Sequence, residues 1–227
     1  MPSNAGYVAL INCTGITVQN LQLSNNSQGI LLVNTSNSTI TQNTIMNQFN
    51  GIELDASPDN TITQNILEAN IECGIAVMSS NNSLFGNTVT GSKTGIDIKA
   101  SSGNNIYGNN ITANFYGIRL QNSIAANSSY NTVIAKSITA NYYHISIEYG
   151  AQNNTLYYNN IIDNTEQIQV TDNFPHGTVG IVLPITNFWD NGSEGKYWSD
   201  YSGTDSDGIG DTPYNLNSSN RDNYPLM

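Results

Sequence analysis

The sequence predicts an all-β fold, a right-handed single-stranded parallel β-helix (solenoid) of about seven to eight rungs, where a rung is one coil of short strands. The first observation is a period of about 22 residues between Gly-Ile pairs, which begin at Gly29, Gly51, Gly74, Gly95 and Gly117. The second is that each unit contains three short apolar segments with the alternation of strands. Because one coil cannot bury its own apolar face, successive coils are expected to stack.

The unit that begins at Gly51 shows the three strands most clearly. Ile52 and Leu54 alternate in the first strand, Ile62 belongs to the second and Leu67 to the third. Asparagines lie at the turns, and identical amides one rung apart can donate and accept hydrogen bonds along the stack. These asparagines are therefore predicted to form structural ladders, with members at Asn43, Asn60, Asn65, Asn87 and Asn109.

The interval after Gly117 is longer than the others, and the next unit starts at His144, which takes the place of the glycine. The extra residues, around 123–129, are expected to form a loop on one face, where binding functions are common. Lys136 replaces an asparagine in one rung, and the coil pattern ends near Asp172.

Two parts of the chain are predicted, a parallel β-helix repeat domain over 1–174 and a C-terminal capping segment over 175–227. The segment holds both tryptophans, Trp189 and Trp198, together with a cluster of tyrosines. Aromatic side chains bury a large area, so the segment is expected to form an irregular aromatic cap packed on the last rungs. The alternative is a sugar-stacking platform.

Composition excludes some partners. The formal net charge is −11, and the six Lys and Arg residues are scattered. No basic patch for nucleic acid is expected, whereas the acidity favours cations as ligands. Because the chain has no apolar run of roughly 18 residues, no membrane span is predicted.

The compartment and the cysteines lead to two further expectations. No signal peptide precedes the repeat, so either the protein is intracellular or the signal has been trimmed. The many Asn-x-Ser/Thr sequences favour an extracellular or cell-surface location. Cys13 and Cys73 lie about three rungs apart, beyond the reach of a disulfide, and are expected to be two buried thiols.

Candidate functional residues lie on the outward side of the first strand of each rung, because its inward positions are apolar. We call this surface the first-sheet face. One column contains Glu53, Asp97, Arg119 and Ser146, and the next contains Asp55, Lys99, Gln121 and Glu148. This mixed-charge surface suits a polysaccharide, with Asp55, Gln121 and Glu148 as candidate binding residues.

The same face carries the catalytic alternative. Sugar hydrolysis needs two carboxylates about 5 to 9.5 Å apart, and uronate lysis needs a cation and a base. The candidates are Glu53, Asp97, Lys99 and Arg119. However, the columns show no clustered acid pair within one rung, and Asp97 opposite Arg119 is more simply a cross-rung salt bridge. The pattern therefore favours structure over catalysis.

The tail contains one motif typical of calcium loops, the run from Asp205 to Asp211. Alternating carboxylates around a glycine turn can converge on Ca²⁺. The candidate ligands are Asp205, Asp207, the Ile209 carbonyl and Asp211, with Asp200 as a contributor. The alternative is a plain Asp-Gly turn.

Transition-metal ligands are scattered. His144 and His176 have no His or Cys at ligand spacing, and Met46 and Met78 are isolated. A copper site is therefore not expected.

The rung pattern G-I-x-L…N-x-T-I-x-x-N-x-I, followed by NFWDNGSEGKYWSDYSGTDSDGIGDTPY and DNYPLM, resembles the NosD-like family of right-handed parallel β-helix proteins with PbH1 repeats. The resemblance covers nearly the whole chain and is strongest to archaeal surface and secreted members. It implies a domain type associated with carbohydrate binding and sugar hydrolysis and, for namesake members, periplasmic copper delivery to a reductase. The archaeal members resemble non-catalytic modules of cell-surface proteins.

Three functions follow as hypotheses. The first is a non-catalytic extracellular module that binds glycans or neighbouring surface proteins. The second is a polysaccharide lyase or glycoside hydrolase that acts on the first-sheet face. The third is a structural unit that assembles end to end through its N-terminal rung, which leaves an open strand edge.

Overall fold

A computed structural model describes residues 6–123, 126–134, 137–171 and 186–227. All regular structure in these residues is β, and none of their segments is a helix that could cross a membrane.

Each complete rung contributes one strand to each of three sheets. The first four rungs contain β1 (Val8–Ile11), β2 (Thr17–Gln19), β3 (Gln22–Ser24), β4 (Gln28–Val33), β5 (Thr39–Thr41), β6 (Thr44–Met46), β7 (Asn50–Asp55), β8 (Thr61–Thr63), β9 (Ile66–Glu68), β10 (Cys73–Met78), β11 (Ser83–Phe85) and β12 (Thr88–Thr90). The next three contain β13 (Thr94–Lys99), β14 (Asn105–Tyr107), β15 (Asn110–Thr112), β16 (Tyr116–Gln121), β17 (Thr132–Ile134), β18 (Ser137–Thr139), β19 (Tyr143–Glu148), β20 (Thr155–Leu156) and β21 (Asn160–Ile162).

The strands stack in parallel, each on the equivalent strand of the next rung. The first sheet runs from β1 to β22 (Glu166–Thr171), the second from β2 to β20, and the third from β3 to β23 (Tyr197–Trp198). The predicted parallel β-helix is therefore confirmed, with seven complete rungs and an eighth started by β22.

The core is a column of aliphatic side chains inside the coil. In the third rung Ile52, Leu54, Ile62 and Leu67 are fully buried, as predicted. Burial of one such side chain contributes about 1.5–3 kcal/mol. Stacking therefore stabilises every rung through its neighbours.

The asparagine ladders are confirmed. Asn65 Nδ2 donates to Asn87 Oδ1 (3.0 Å) and to the Ile40 carbonyl (2.9 Å), while Asn65 Oδ1 accepts the backbone N–H of Asn43 (3.0 Å). Each buried amide is thus bonded to the rungs before and after it, which satisfies its polar atoms.

Close approach between rungs explains the repeated glycine. A Cβ on Gly51 would lie 2.6 Å from the Gly74 carbonyl oxygen and 2.6 Å from Leu67 Cδ2. Neither distance is sterically allowed, so any side chain would push the rungs apart. His144 occupies this position in the seventh rung and is fully buried.

The predicted insertion lies between β16 and β17, and its described part is tied back to the sheet, since Ser128 Oγ donates to the Gln121 carbonyl (2.7 Å). Lys136 lies outside the described residues. Cys13 and Cys73 are free thiols, but only Cys73 is buried. The expectation of burial is therefore wrong for Cys13, which lies half-buried at a corner of the first rung.

The first part of the tail adds residues to the second and third sheets, and the rest of the tail covers the last rung. Tyr197 and Trp198 pair in parallel with Asn160 and Ile161, and Phe188 bridges to Thr155. The expectation that the coil ends near Asp172 is therefore wrong for the second and third sheets.

Beyond the eighth rung the tail folds back on itself. The antiparallel pair β24 (Tyr214–Asn215) and β25 (Arg221–Asp222) closes the described chain. Trp189 and Trp198 are buried rather than open to a sugar. The predicted boundary between 174 and 175 lies outside the described residues.

Candidate functional site

The first-sheet face brings the predicted residues onto one surface, in the predicted columns. Asp97 pairs with Arg119 and Lys99 with Gln121 in adjacent strands, and Gln121 pairs with Glu148 one rung further on. This register follows from the 22-residue period, because parallel pairing aligns equivalent positions of successive rungs.

Asp97 is the centre of a polar network. Its carboxylate accepts hydrogen bonds from Arg119 Nε (3.2 Å) and Nη2 (2.8 Å) and from Gln121 Nε2 (2.9 Å to each oxygen). Burial lowers the pKa of Arg119, but the hydrogen bond and charge of Asp97 outweigh it and raise that pKa overall. The predicted cross-rung salt bridge is confirmed, at 2.8 Å. The hydrogen bonds of the Asp97 carboxylate are thus made within the sheet, which favours a structural role for it.

A second polar group lies on the next rungs. Ser146 Oγ is 2.8 Å from Glu148 Oε1 and 2.9 Å from Gln169 Oε1, and both Ser146 and Glu148 are buried. Gln121 is also buried. These side chains therefore stabilise the sheet and present only part of their polar surface to a ligand.

The remaining predicted residues are more open, and Glu53 and Asp55 lie two rungs from Asp97. Glu53 accepts hydrogen bonds from Gln28 Nε2 (2.6 Å) and Asn50 Nδ2 (2.8 Å), two rungs from Asp97 and roughly 10 Å away by the strand spacing. Asp55 and Lys99 are exposed. Glu53 and Asp97 therefore do not form a close acid pair.

Four aromatic side chains border this face, and we call them the aromatic corner: Phe115, Tyr116, Tyr142 and Tyr143. Phe115 stacks on Tyr142 (ring centres 4.9 Å apart) and Tyr116 on Tyr143 (5.2 Å). The Phe115 and Tyr142 residues are 46% and 43% exposed. Arg119 Cζ lies 5.4 Å from the Tyr116 ring centre, which joins the aromatic corner to the Asp97 network.

The aromatic corner is missing from the candidate residues chosen by sequence, although the sequence carries a signal for it. Two aromatic residues precede the starting position of the rung at Gly117 and again at His144. Because equivalent positions stack one rung apart, two aromatic pairs in consecutive units predict a stacked cluster.

A cleft of about 850 Å³ continues the first-sheet face beyond its last strands. Tyr143, Glu166 and Gln169 line one side, and Asp200 and Tyr214 of the tail line the other. The Tyr214 hydroxyl donates to Asp200 Oδ2 (3.0 Å). The cleft is therefore polar and acidic, and it shares Tyr143 with the aromatic corner.

The Asp205 to Asp211 turn has the hydrogen bonding of an Asx turn. Asp205 Oδ1 accepts the backbone N–H groups of Asp207 (2.8 Å) and Gly208 (2.5 Å), and Asp207 Oδ1 accepts that of Ile209 (3.1 Å). In the described part of the chain these carboxylates are not grouped as three metal ligands. Calcium binding by Asp205, Asp207, Ile209 and Asp211 stays a prediction.

The described residues do not fit the copper that the family resemblance implies. No three His, Cys, Asp or Glu side chains among them are grouped to hold an ion. Burial, with a contribution from Asp97, raises the pKa of Cys73 to about 12 and keeps the thiol protonated. Met78 lies five positions along the same strand, roughly 16 Å away. His176 lies outside the described residues.

The fold is similar to that of a solved structure, a double mutant of the tailspike protein of E. coli bacteriophage HK620 in complex with a pentasaccharide. The TM-score is 0.57 and the sequence identity 14%, which shows a shared fold alone. The alignment covers 87% of this chain and 43% of the tailspike chain, so this chain spans less than half of that protein's length. The comparison with curated proteins gave no match.

The comparison with protein families agrees with the rung pattern and with the stacked sheets. The model of the family described as periplasmic copper-binding protein (NosD) matches residues 2–203, which is most of the chain. The chain therefore belongs to the NosD family.

Proposed function

We propose that this chain is a non-catalytic, surface-located β-helix module that binds a glycan along the first-sheet face. The aromatic corner is the observation that carries the proposal. Two of its rings are nearly half exposed although apolar surface is costly in water, and clustered exposed aromatic side chains mark binding sites. Phe115 and Tyr142 stack on each other, so their edges and outer faces are the apolar surface that they offer to a sugar ring.

Polar groups beside the aromatic corner supply the hydrogen bonds that a sugar needs. Arg119 is partly exposed, with 18% of its side chain accessible, and lies against Tyr116. Lys99 and Asp55 are exposed further along the same face. An apolar platform with a few fixed polar groups is the usual composition of a small-ligand site.

The comparisons support a surface location and a sugar ligand. The tailspike protein, which has a similar fold, is in complex with a pentasaccharide. The NosD family description names periplasmic proteins. Binding of a neighbouring surface protein is the alternative use of the same face.

Binding without turnover is favoured because Asp97 and Glu53, two of the catalytic candidates, lie apart and are bonded to other side chains. Asp97 is saturated by Arg119 and Gln121, and Glu53 lies two rungs away. The lyase or glycosidase alternative requires Asp97 or Glu53 to act as base or acid. In the structure, neighbouring side chains donate hydrogen bonds to both carboxylates.

A glycan array followed by calorimetry with the best glycan tests this proposal. Tyr142→Ala should weaken binding about fivefold, because loss of one ring costs roughly 1 kcal/mol. Tyr130→Ala is the matched control, since Tyr130 is 71% exposed and lies at another corner, after the insertion. No binding to any glycan, or equal losses in both variants, would overturn the proposal. Turnover that Asp97→Ala abolishes would favour the enzyme.

A further inference from the structure

A buried lysine lies at the C-terminal end of the β-helix, away from the first-sheet face. Lys196 is fully buried between Trp189 and Trp198, which are the two tryptophans of the chain. Its Nζ lies 4.8 Å from the ring centre of Trp189 and 5.6 Å from that of Trp198. Lysine is almost never buried this completely without an ionic partner.

The hydrogen bonds of Lys196 join the tail to the regular rungs. Nζ donates to the Leu156 carbonyl oxygen (2.5 Å) and to the Trp189 carbonyl oxygen. Leu156 belongs to β20 of the seventh rung, whereas Trp189 belongs to the tail. One amine therefore bonds across the junction between the regular rungs and the tail, and we call the described tail, residues 186–227, the cap.

Asp222 organises the backbone around the amine without forming a salt bridge with it. Asp222 Oδ2 accepts the backbone N–H of Lys196 (2.8 Å) and Trp198 Nε1–H (2.9 Å). In the described part of the chain, no carboxylate lies within salt-bridge distance of Lys196 Nζ. Charge on the amine therefore has to be accommodated mainly by carbonyl groups and ring faces.

We propose that Lys196 is a pH-sensitive latch that holds the cap on the seventh and eighth rungs most tightly when its amine is neutral. A neutral amine has two N–H donors, and the site offers two carbonyl acceptors. The third N–H of an ammonium would meet only tryptophan faces, which attract it through a cation–π contact. Dehydration of a buried charge costs more than this contact returns.

The electrostatic surroundings agree with this geometry. Burial lowers the pKa of Lys196 to about 7, although the charges of Asp222 and Asp190 act in the opposite direction. His144 of β19 faces the same cluster, and burial together with the Lys196 charge lowers its pKa well below its usual value. Burial raises the pKa of Asp222. Tyr214 of β24 stacks on Trp198, and burial raises the pKa of its hydroxyl.

The direction of the pH effect follows from linkage. The pKa of Lys196 is lower in the folded cap than the ordinary 10.5. Between pH 10.5 and about 7 the unfolded cap therefore binds a proton that the folded cap does not bind. Cap stability should therefore fall as the pH drops through this window.

Tryptophan fluorescence reports on the cap, because both tryptophans lie in this cluster, while far-ultraviolet circular dichroism reports mainly on the rungs. In the wild type the fluorescence midpoint of thermal unfolding should be several degrees higher at pH 9.5 than at pH 7. Lys196→Met, which keeps the length of the side chain without a charge, should remove this difference. Lys93→Met is the matched control, since Lys93 pairs with Glu72 on the surface (2.9 Å), and it should keep the difference.

Two results would overturn the latch: a wild type without the pH shift, or a Lys196→Met variant that retains it. If that variant fails to fold, ¹³C titration of the Lys196 ε-carbon in the wild type decides. A midpoint near 7 supports the latch, and a midpoint above 10 contradicts it.

Discussion

The regular rungs and the C-terminal cap bury their polar groups in different ways. In the rungs an amide such as Asn65 bonds to the equivalent amide of the next rung, so one residue type at one position satisfies its neighbours. The cap also contains polar groups outside any ladder, each with a partner of its own, as Lys196 has the Leu156 carbonyl and Asp222 has Trp198 Nε1–H. Within the stack, the equivalent residue of the next rung satisfies a buried amide such as Asn65. The last rung has no such neighbour, so it needs contacts that no other rung contains.

The largest expected effect tests how strictly the regular rungs repeat. A Cβ on Gly95 would lie 2.5 Å from the Gly117 carbonyl oxygen and 2.7 Å from Ile111 Cγ2. Because the nearest atom is backbone, Gly95→Ala should lower the free energy of unfolding by about 3 kcal/mol. Chemical denaturation followed by circular dichroism measures this loss.

Gly108→Ala is the control for that substitution. Gly108 has a positive φ of 63°, and a Cβ added there would have no neighbouring atom within 4 Å. Only backbone strain of about 1 kcal/mol is therefore expected. Equal losses for the two variants would contradict close approach between rungs as the reason for the regular spacing of glycines along this chain.

The next effect compares one ladder position in the rungs with one in the cap. Asn87→Ala removes the acceptor of the Asn65 backbone N–H (3.0 Å) and the donor to the Ile62 carbonyl (2.9 Å). Buried groups left without partners cost about 2 kcal/mol in total, and this loss should appear in the circular dichroism transition.

Asn220→Ala removes an acceptor of the Asn187 backbone N–H (3.0 Å) and of Trp189 Nε1–H (2.8 Å). Its loss should appear first in tryptophan fluorescence, with a smaller change in circular dichroism. Identical shifts in both signals for both variants would show that the cap and the rungs unfold as one unit, against the proposed division of the two regions.

The smallest effect concerns the first-sheet face. Asp97→Asn leaves the partly buried Arg119 without its charged partner and should cost about 1 kcal/mol. The matched change Glu72→Gln, in a pair whose side chains are 33% and 50% exposed, should cost less than about 0.5 kcal/mol. A larger loss for Glu72→Gln than for Asp97→Asn in denaturation would contradict a structural role for Asp97.

Much of the candidate site could be predicted, because it inherits its geometry from the repeat. The Asp97–Arg119 pair follows from residues 22 positions apart in stacked strands. Burial of Gln121 and Glu148 could not be predicted, since it depends on how side chains of neighbouring strands pack on the face. The same limit applies to Trp198, which completes a third-sheet rung although no repeat precedes it in the tail.

The sequence by itself determined the period, the three strands of a rung and the asparagine ladders. Each of these features recurs from unit to unit, and equivalent positions of successive units contact each other in the stack. Only the tertiary structure decided the environment of the tail. Asn187 and Asn220 extend a ladder from Asn154 across intervals of 33 residues rather than 22, and Lys196 lies inside the cluster. These contacts occur once, so they depend on how the chain packs rather than on any pattern along it.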